Sequence, residues 1–110
     1  MKTGVRTLGP ASLKLSYNQQ VAPHLRGGLR ELSHLECTEP KKGHATRLMQ
    51  EVCSEADKEN IMLLLHVEPY GEMDKAALRD WYSRLGFFIL QETPTIMVRQ
   101  AHGVRKLFNG

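Results

Sequence analysis

Apolar residues recur through the middle of the chain at a helical period. Ala45, Leu48, Met49, Val52, Cys53 and Ala56 stand at i, i+3, i+4, i+7, i+8 and i+11, which places them on one stripe of a helix. Arg47, Glu51, Glu55 and Lys58 form the opposite, charged face, and Asn60 ends the element. The following run, Ile61 to Val67 (IMLLLHV), is apolar without alternation, as a strand covered on both faces requires, and Pro69 and Gly71 close it. A second helix is signalled by Asp74 as N-cap, by Ala77, Leu78, Trp81, Tyr82 and Leu85 on one face, and by Gly86 just past its end.

Shorter strands flank these elements. Leu13 to Tyr17 (LKLSY) alternates apolar and polar residues at period two. Asn18 to Gly28 holds Pro23 and the Gly27-Gly28 pair and reads as a connection, after which Leu29 to Thr38 resumes a strand-like stretch. Phe87 to Leu90 and Thr95 to Val98 are strands on either side of a turn at Thr93-Pro94. Residues 1–12 (MKTGVRTLGPAS) show no apolar period and read as a flexible arm, residues 13–100 as a single domain, and residues 101–110 as an exposed basic tail. Strand, helix and buried strand make a right-handed βαβ unit, so the fold class is mixed α/β with a central, partly antiparallel sheet.

Composition narrows the class. At 110 residues with 41% hydrophobic residues, one packed core is affordable and a second is not. The longest unbroken apolar run, Ile61 to Leu65, is far short of the roughly 20 residues of a membrane span, and no apolar segment follows the charges of residues 1–12, so the expectation is a cytoplasmic protein without membrane contact. Cys37 and Cys53 allow at most one bridge, unlike a stapled secreted scaffold, and both are expected reduced. His34-x-x-Cys37 with His44 and Cys53 lacks the second tight pair that zinc sites use, so no metal is expected. The net charge of +3 suits an anionic ligand, but the basic residues are interspersed with acids and form no aromatic stacking series, which disfavours nucleic acid.

The chemistry concentrates in Pro40-Lys41-Lys42-Gly43-His44-Ala45-Thr46, between the strand ending near Thr38 and the helix beginning near Ala45. A small-residue turn entering a helix leaves backbone N–H groups unpaired at the positive end of the helix dipole, where phosphate binds. Gly43 and Ala45 permit close approach, with Lys41, Lys42 and Arg47 nearby. The segment is neither GxxxxGK[ST] nor GxGxxG. Taken alone, an ordinary strand-to-helix turn with solvated lysines is the simpler account.

A second feature stands beside it, Tyr82-Ser83-Arg84-Leu85-Gly86-Phe87 at the end of the second helix. The segment Lys41 to Met49 resembles motif A of the GNAT (Gcn5-related) N-acetyltransferases, R/Q-x-x-G-x-G/A, and Tyr82 to Phe87 resembles their Y-x-x-x-G-F ending. The match runs from about Leu29 to Val98, in the family's order and with a buried strand between the two motifs. The resemblance implies a GNAT-like acyl-CoA N-acyltransferase fold in a compact version, lacking the usual N-terminal strand and helices, since only 28 residues precede Leu29. It implies transfer of acetyl from acetyl-coenzyme A directly to an amine. By position, Leu35, Glu36 and Cys37 would face the pantetheine arm, and Lys41, Lys42, Gly43, His44, Ala45 and Thr46 would supply the pyrophosphate amides. Tyr82 would be the general acid, with a core aromatic on an amphipathic helix as its structural alternative.

Some positions depart from the family. Pro40 stands where Arg or Gln is usual, Lys75 where an Asn often meets the cofactor, and Leu78 where Ala is common. Glu31 is the expected general base, with Glu36, His66 and Glu68 as further candidates, although a solvent-facing strand carboxylate fits Glu31 equally well. His66, in the buried strand, reads as a satisfied core histidine. The missing helices normally wall the acceptor site, so that site is expected to be open, or completed by a second copy of the chain or by residues Gln91 to Thr95. An open site suits a protein lysine better than a small amine. A catalytically inactive coenzyme A binding module acting through protein contacts is the alternative of a different class, and a basic nucleic-acid binder is the third.

Overall fold

The computed structural model describes residues 1–18, 28–39, 42–68 and 74–101. In chain order the elements are β1 (Gly4–Leu8), β2 (Ala11–Ser16), β3 (Leu29–Cys37), α1 (His44–Glu59), β4 (Met62–His66), α2 (Lys75–Arg84), β5 (Phe88–Glu92) and β6 (Thr95–Arg99). They form a mixed six-stranded sheet in the order β1-β2-β3-β4-β6-β5. β3 and β4 are parallel, joined through α1, and the other neighbours are antiparallel.

The helices end where the sequence says they must. Asn60 takes the left-handed conformation (φ 59°) that its short polar side chain tolerates, and the Ile61 N–H donates to the Ala56 carbonyl at 2.8 Å. At α2 the Asp74 carboxylate accepts from the Ala77 N–H at 2.8 Å, and Gly86, just past the helix, has φ 100°. The expected stripe of α1 is the buried one: Leu48, Met49, Val52, Cys53 and Ala56 pack on Leu13 and Leu15 of β2, Leu32 of β3, Leu63 and Leu65 of β4 and Met97 of β6. Neither cysteine is in a disulfide, and Cys53 lies within this core.

Both helices cover the same face of the sheet. The Arg6 guanidinium of β1 makes two hydrogen bonds, 2.7 and 2.8 Å, to the Glu55 carboxylate of α1. From β6 the Arg99 side chain donates to the Leu85 carbonyl behind α2 at 2.8 Å and to both carboxylate oxygens of Asp57 on α1 at 2.9 Å. Strand side chains alternate, so Ser12, Lys14 and Ser16 of β2, Glu31 and Ser33 of β3, and Leu64 and His66 of β4 project from the second face. No helix among the described residues covers that face, and none is long and apolar enough to cross a membrane.

One expectation is corrected at the N-terminus. Residues 4–8, assigned to a flexible arm, form edge strand β1, in register with β2 from Gly4 opposite Leu15 to Leu8 opposite Ala11. Val5 and Leu8 make no apolar alternation that would mark the strand, because an edge strand buries little, and its stability comes from the ladder and the Arg6–Glu55 pair. Beyond Ala101, which is buried, the expected basic tail lies outside the described residues.

Arg99 is only 5% exposed, so its charge depends on Asp57. Asp57→Ala is expected to lower unfolding stability by about 3 kcal/mol in a denaturant titration. The Arg6 guanidinium holds the Glu55 carboxyl below its ordinary 4.5. Because that value is depressed in the folded state, the pair's contribution is present above the ordinary carboxylate value and is lost as pH falls below it. Arg6→Met is expected to flatten the acid limb of a stability-against-pH curve.

Candidate active site

The two parallel strands of the βαβ unit part company halfway along. β3 and β4 pair from Leu29 opposite Met62 to Leu32 opposite Leu65, and no further. Beyond that rung β3 follows β2, with Glu36 opposite Ser12 and Cys37 opposite Ala11, while β4 follows β6, with His66 opposite Ile96 and the Val67 N–H on the Thr95 carbonyl at 2.9 Å. A bulge drives the divergence. Two steps along β2, from Ser12 to Lys14, span three along β3, from Glu36 to Ser33, and His34 inside the bulge has φ 55°. A non-glycine residue in this region carries strain, which functional sites concentrate. The backbone of β3 that faces the gap therefore has no strand partner there among the described residues.

α1 begins just beyond the gap with its first amides exposed. Gly43 at the N-cap has φ 79°, makes no side-chain cap, and the first turn holds no acidic residue. The first intrahelical bond, from the Arg47 N–H to the Gly43 carbonyl at 3.0 Å, leaves the amides of His44, Ala45 and Thr46 without helical acceptors. A Cβ at Gly43 would meet no atom within 4 Å, so this end is open to a ligand. α2 contrasts with it, since its N-terminus is closed by Asp74.

α2 brings Tyr82 to the gap. The Trp81 indole N–H donates to Thr46 Oγ1 on the first turn of α1 at 3.1 Å, tying the two helices together. The Tyr82 ring packs against Trp81 and Phe87, with centroids at 5.1 and 5.7 Å. Tyr82 is 6% exposed, and burial pushes its hydroxyl up from 10.0 to about 12. That hydroxyl makes no hydrogen bond among the described residues, although Tyr82 lines a cavity of about 520 Å³. Among the described residues this buried hydroxyl at the wall of a cavity has no partner, which most buried polar groups have.

The rest of this cavity belongs to the second face: Lys14, Ser16, Glu31, His34, His66 and Glu68 line it with Leu65 and the β3 bulge. Tyr82, on the helix side, reaches it through the gap between the strands. An adjoining cavity of about 360 Å³ extends across Ser12, Lys14, His34 and Glu36 toward β1.

No protein-family model matches the sequence, and no curated protein matches it. Solved structures do match. The anti-CRISPR protein AcrVA5 aligns over 89% of this chain and 98% of its own, with TM-score 0.69 and 14% identity. A putative acetyltransferase from Exiguobacterium sp. 255-15 aligns with TM-score 0.59 and 18% identity over 91% of this chain and 59% of its own. The GNAT family N-acetyltransferase YhbS from Escherichia coli, solved in complex with CoA, aligns with TM-score 0.58 and 13% identity over 82% of this chain and 51% of its own. The chain has a GNAT-like fold. It does so in compact form, spanning between half and three fifths of the length of the last two proteins.

Within the GNAT-like fold the expected site residues separate into groups. Leu35 lines the main cavity, Glu36 lines the adjoining one, and Cys37 is half-buried with its thiol directed to the Glu39 carbonyl at 3.3 Å. Gly43, His44, Ala45 and Thr46 are the open helix start; Lys42 is exposed and 3.5 Å from Glu39, and Lys41 lies outside the described residues. Glu31 and Tyr82 meet in one cavity, and Glu68 joins them. His66 corrects its expectation: it is 44% exposed on the second face, because Leu63 and Leu65 take the core positions of β4. Lys14 and Ser16 were not singled out by the sequence; alternation on β2 put them opposite Leu13 and Leu15, but only the register with β3 brings them to the gap.

Because the Tyr82 hydroxyl has no partner among the described residues to lose, Tyr82→Phe is expected to leave stability unchanged or to raise it by up to about 1 kcal/mol. Thermal unfolding of both proteins checks this.

Proposed function

We propose that this protein is an N-acetyltransferase that moves the acetyl group of acetyl-coenzyme A directly to an amine, with a lysine side chain of a protein as the acceptor class. The observation that carries this reading is the buried, unpartnered Tyr82 hydroxyl at the gap between β3 and β4. A coenzyme A thioester fits the groups around it. Its pyrophosphate suits the uncapped amides of His44, Ala45 and Thr46, with Lys41 and Lys42 adding charge. Its pantetheine amides suit the β3 edge at Leu35, Glu36 and Cys37, which has no strand partner on that side. When bound, the coenzyme supplies an activated acyl group on sulfur.

The remaining roles belong to the chain. Tyr82, raised to about 12, stays protonated at neutral pH and holds its proton for the departing sulfur. A backbone N–H at the β3 bulge is the donor for negative charge on the acyl oxygen. The titratable groups of the second face, Glu31 among them, serve the acceptor's proton. The thioester enters from the helix side and the amine from the other, so both occupy the site together, which suits direct transfer. The uncovered second face admits a side chain carried on a large partner, and this supports a protein acceptor.

Calorimetric titration with acetyl-coenzyme A, beside an acetyl-pantetheine lacking the pyrophosphate, is the test. Micromolar binding to the first and little to the second is expected, and binding to neither refutes the reading. Gly43→Glu is expected to weaken binding roughly tenfold or more by placing a carboxylate among the amides. Gly43→Ala, which shares the backbone strain of about 1 kcal/mol at φ 79°, retains binding. Tyr82→Phe is expected to bind acetyl-coenzyme A normally and to lower kcat about 10²-fold.

A further inference from the structure

Glu31 and His66 pair with each other and make no other side-chain hydrogen bond or ion pair among the described residues. His66 Nδ1 lies 3.6 Å from Glu31 Oε1, with Glu31 26% exposed. The strands put them there. Arg30 and Leu32 are buried, so Glu31 between them points to the second face; Leu63 and Leu65 are buried, so His66 does as well. Glu31 is in register with Leu64, and His66 stands two residues further along β4, the diagonal neighbour on the same face. The pair therefore sits beside the last β3–β4 rung, at the floor of the gap, and lines the cavity that Tyr82 enters from the opposite side. Neither side chain has a structural duty that explains its presence.

We propose that His66 is the group that takes the acceptor's proton, at Nε2, and that Glu31 is its positioning residue. This rests on the acetyl-transfer reading and names the atom to which the proton goes. A carboxylate only accepts hydrogen bonds, so once a ligand closes this contact to hydrogen-bond length, Glu31 facing Nδ1 favours the imidazole tautomer with its proton on Nδ1 and leaves the lone pair on Nε2. The contact has ion-pair length in the free protein, and such contacts tighten when a ligand fills the site.

The proton balance is complete. The acceptor arrives as an ammonium and gives one proton to His66 Nε2, which passes it to solvent. Its nitrogen then bonds the acetyl carbon as the carbon–sulfur bond breaks. The sulfur takes the Tyr82 proton, and the second proton shed by nitrogen restores the phenol. The imidazolium formed at His66 faces Glu31, with Glu68 as a further negative group and Lys14 as the opposing cation on the cavity wall, beside His34 and Tyr82.

Two measurements test this. Nitrogen-15 spectra of the histidines in the protein saturated with coenzyme A, at a pH where imidazole is neutral, are expected to show the Nδ1–H tautomer at His66, changing to Nε2–H in Glu31→Ala. An Nε2–H tautomer in the wild type overturns the proposal. With acetyl-coenzyme A and poly-L-lysine as the amine probe, His66→Ala is expected to lose about 10²-fold in kcat with KM for acetyl-coenzyme A unchanged, and added imidazole is expected to restore part of the rate. Glu31→Gln is expected to lose roughly tenfold, reflecting orientation alone. If the wild type transfers acetyl and His66→Ala does so equally well, this inference falls and the acetyl-transfer reading stands. If the wild type binds no acetyl-coenzyme A, both fall.

Discussion

The arrangement depends on one broken ladder. A strand's N–H and C=O groups must find partners, and in β3 and β4 they do so with each other only as far as Leu32 and Leu65. Each strand is then drawn to its own antiparallel neighbour, β3 to β2 across a bulge and β4 to β6. The gap is thus a consequence of two competing pairings. It exposes strand backbone at a place where α1 starts and α2 passes, so unpaired amides and a phenol converge without any single element being designed around all of them.

The two faces of the sheet divide the labour. One face carries the apolar core and both helices, pinned by the Arg99–Asp57 and Arg6–Glu55 pairs at 2.7 to 2.9 Å. That packing makes the position of Tyr82 rigid, since its ring is held between Trp81 and Phe87. The other face presents Lys14, Glu31, His66 and Glu68. A phenol on the packed side and titratable groups on the open side thus line one cavity through the gap. The compactness of the chain relative to the acetyltransferases it resembles leaves the second side without a described helical wall.

Much of the fold was legible because its signals are local. The stripe from Ala45 to Ala56, the Asp74 cap and the Asn60 and Gly86 stops each depend on residues within a few positions, and each appears in the structure at or within a residue of its expected place. Strand β1 escaped notice because polar edge strands carry no periodic apolar signature. His66 was misplaced for a related reason. An unbroken apolar run reads as a strand covered on both faces, yet in β4 it is the alternation Leu63, Leu65 that faces the helices, and the run ends with His66 on the other side.

The sequence by itself determined the elements from β2 to β6, their order and the two short motifs at the start of α1 and the end of α2, since propensity, capping and periodicity act over one or two turns of chain. Only the tertiary structure decided that β3 and β4 diverge after Leu32, that His34 takes a left-handed conformation, and that Glu31 and His66 face each other across two strands. Those facts follow from register between strands separated by a whole helix. A one-residue slip in that register would turn every side chain of β4 to the opposite face while leaving the local sequence signals unchanged.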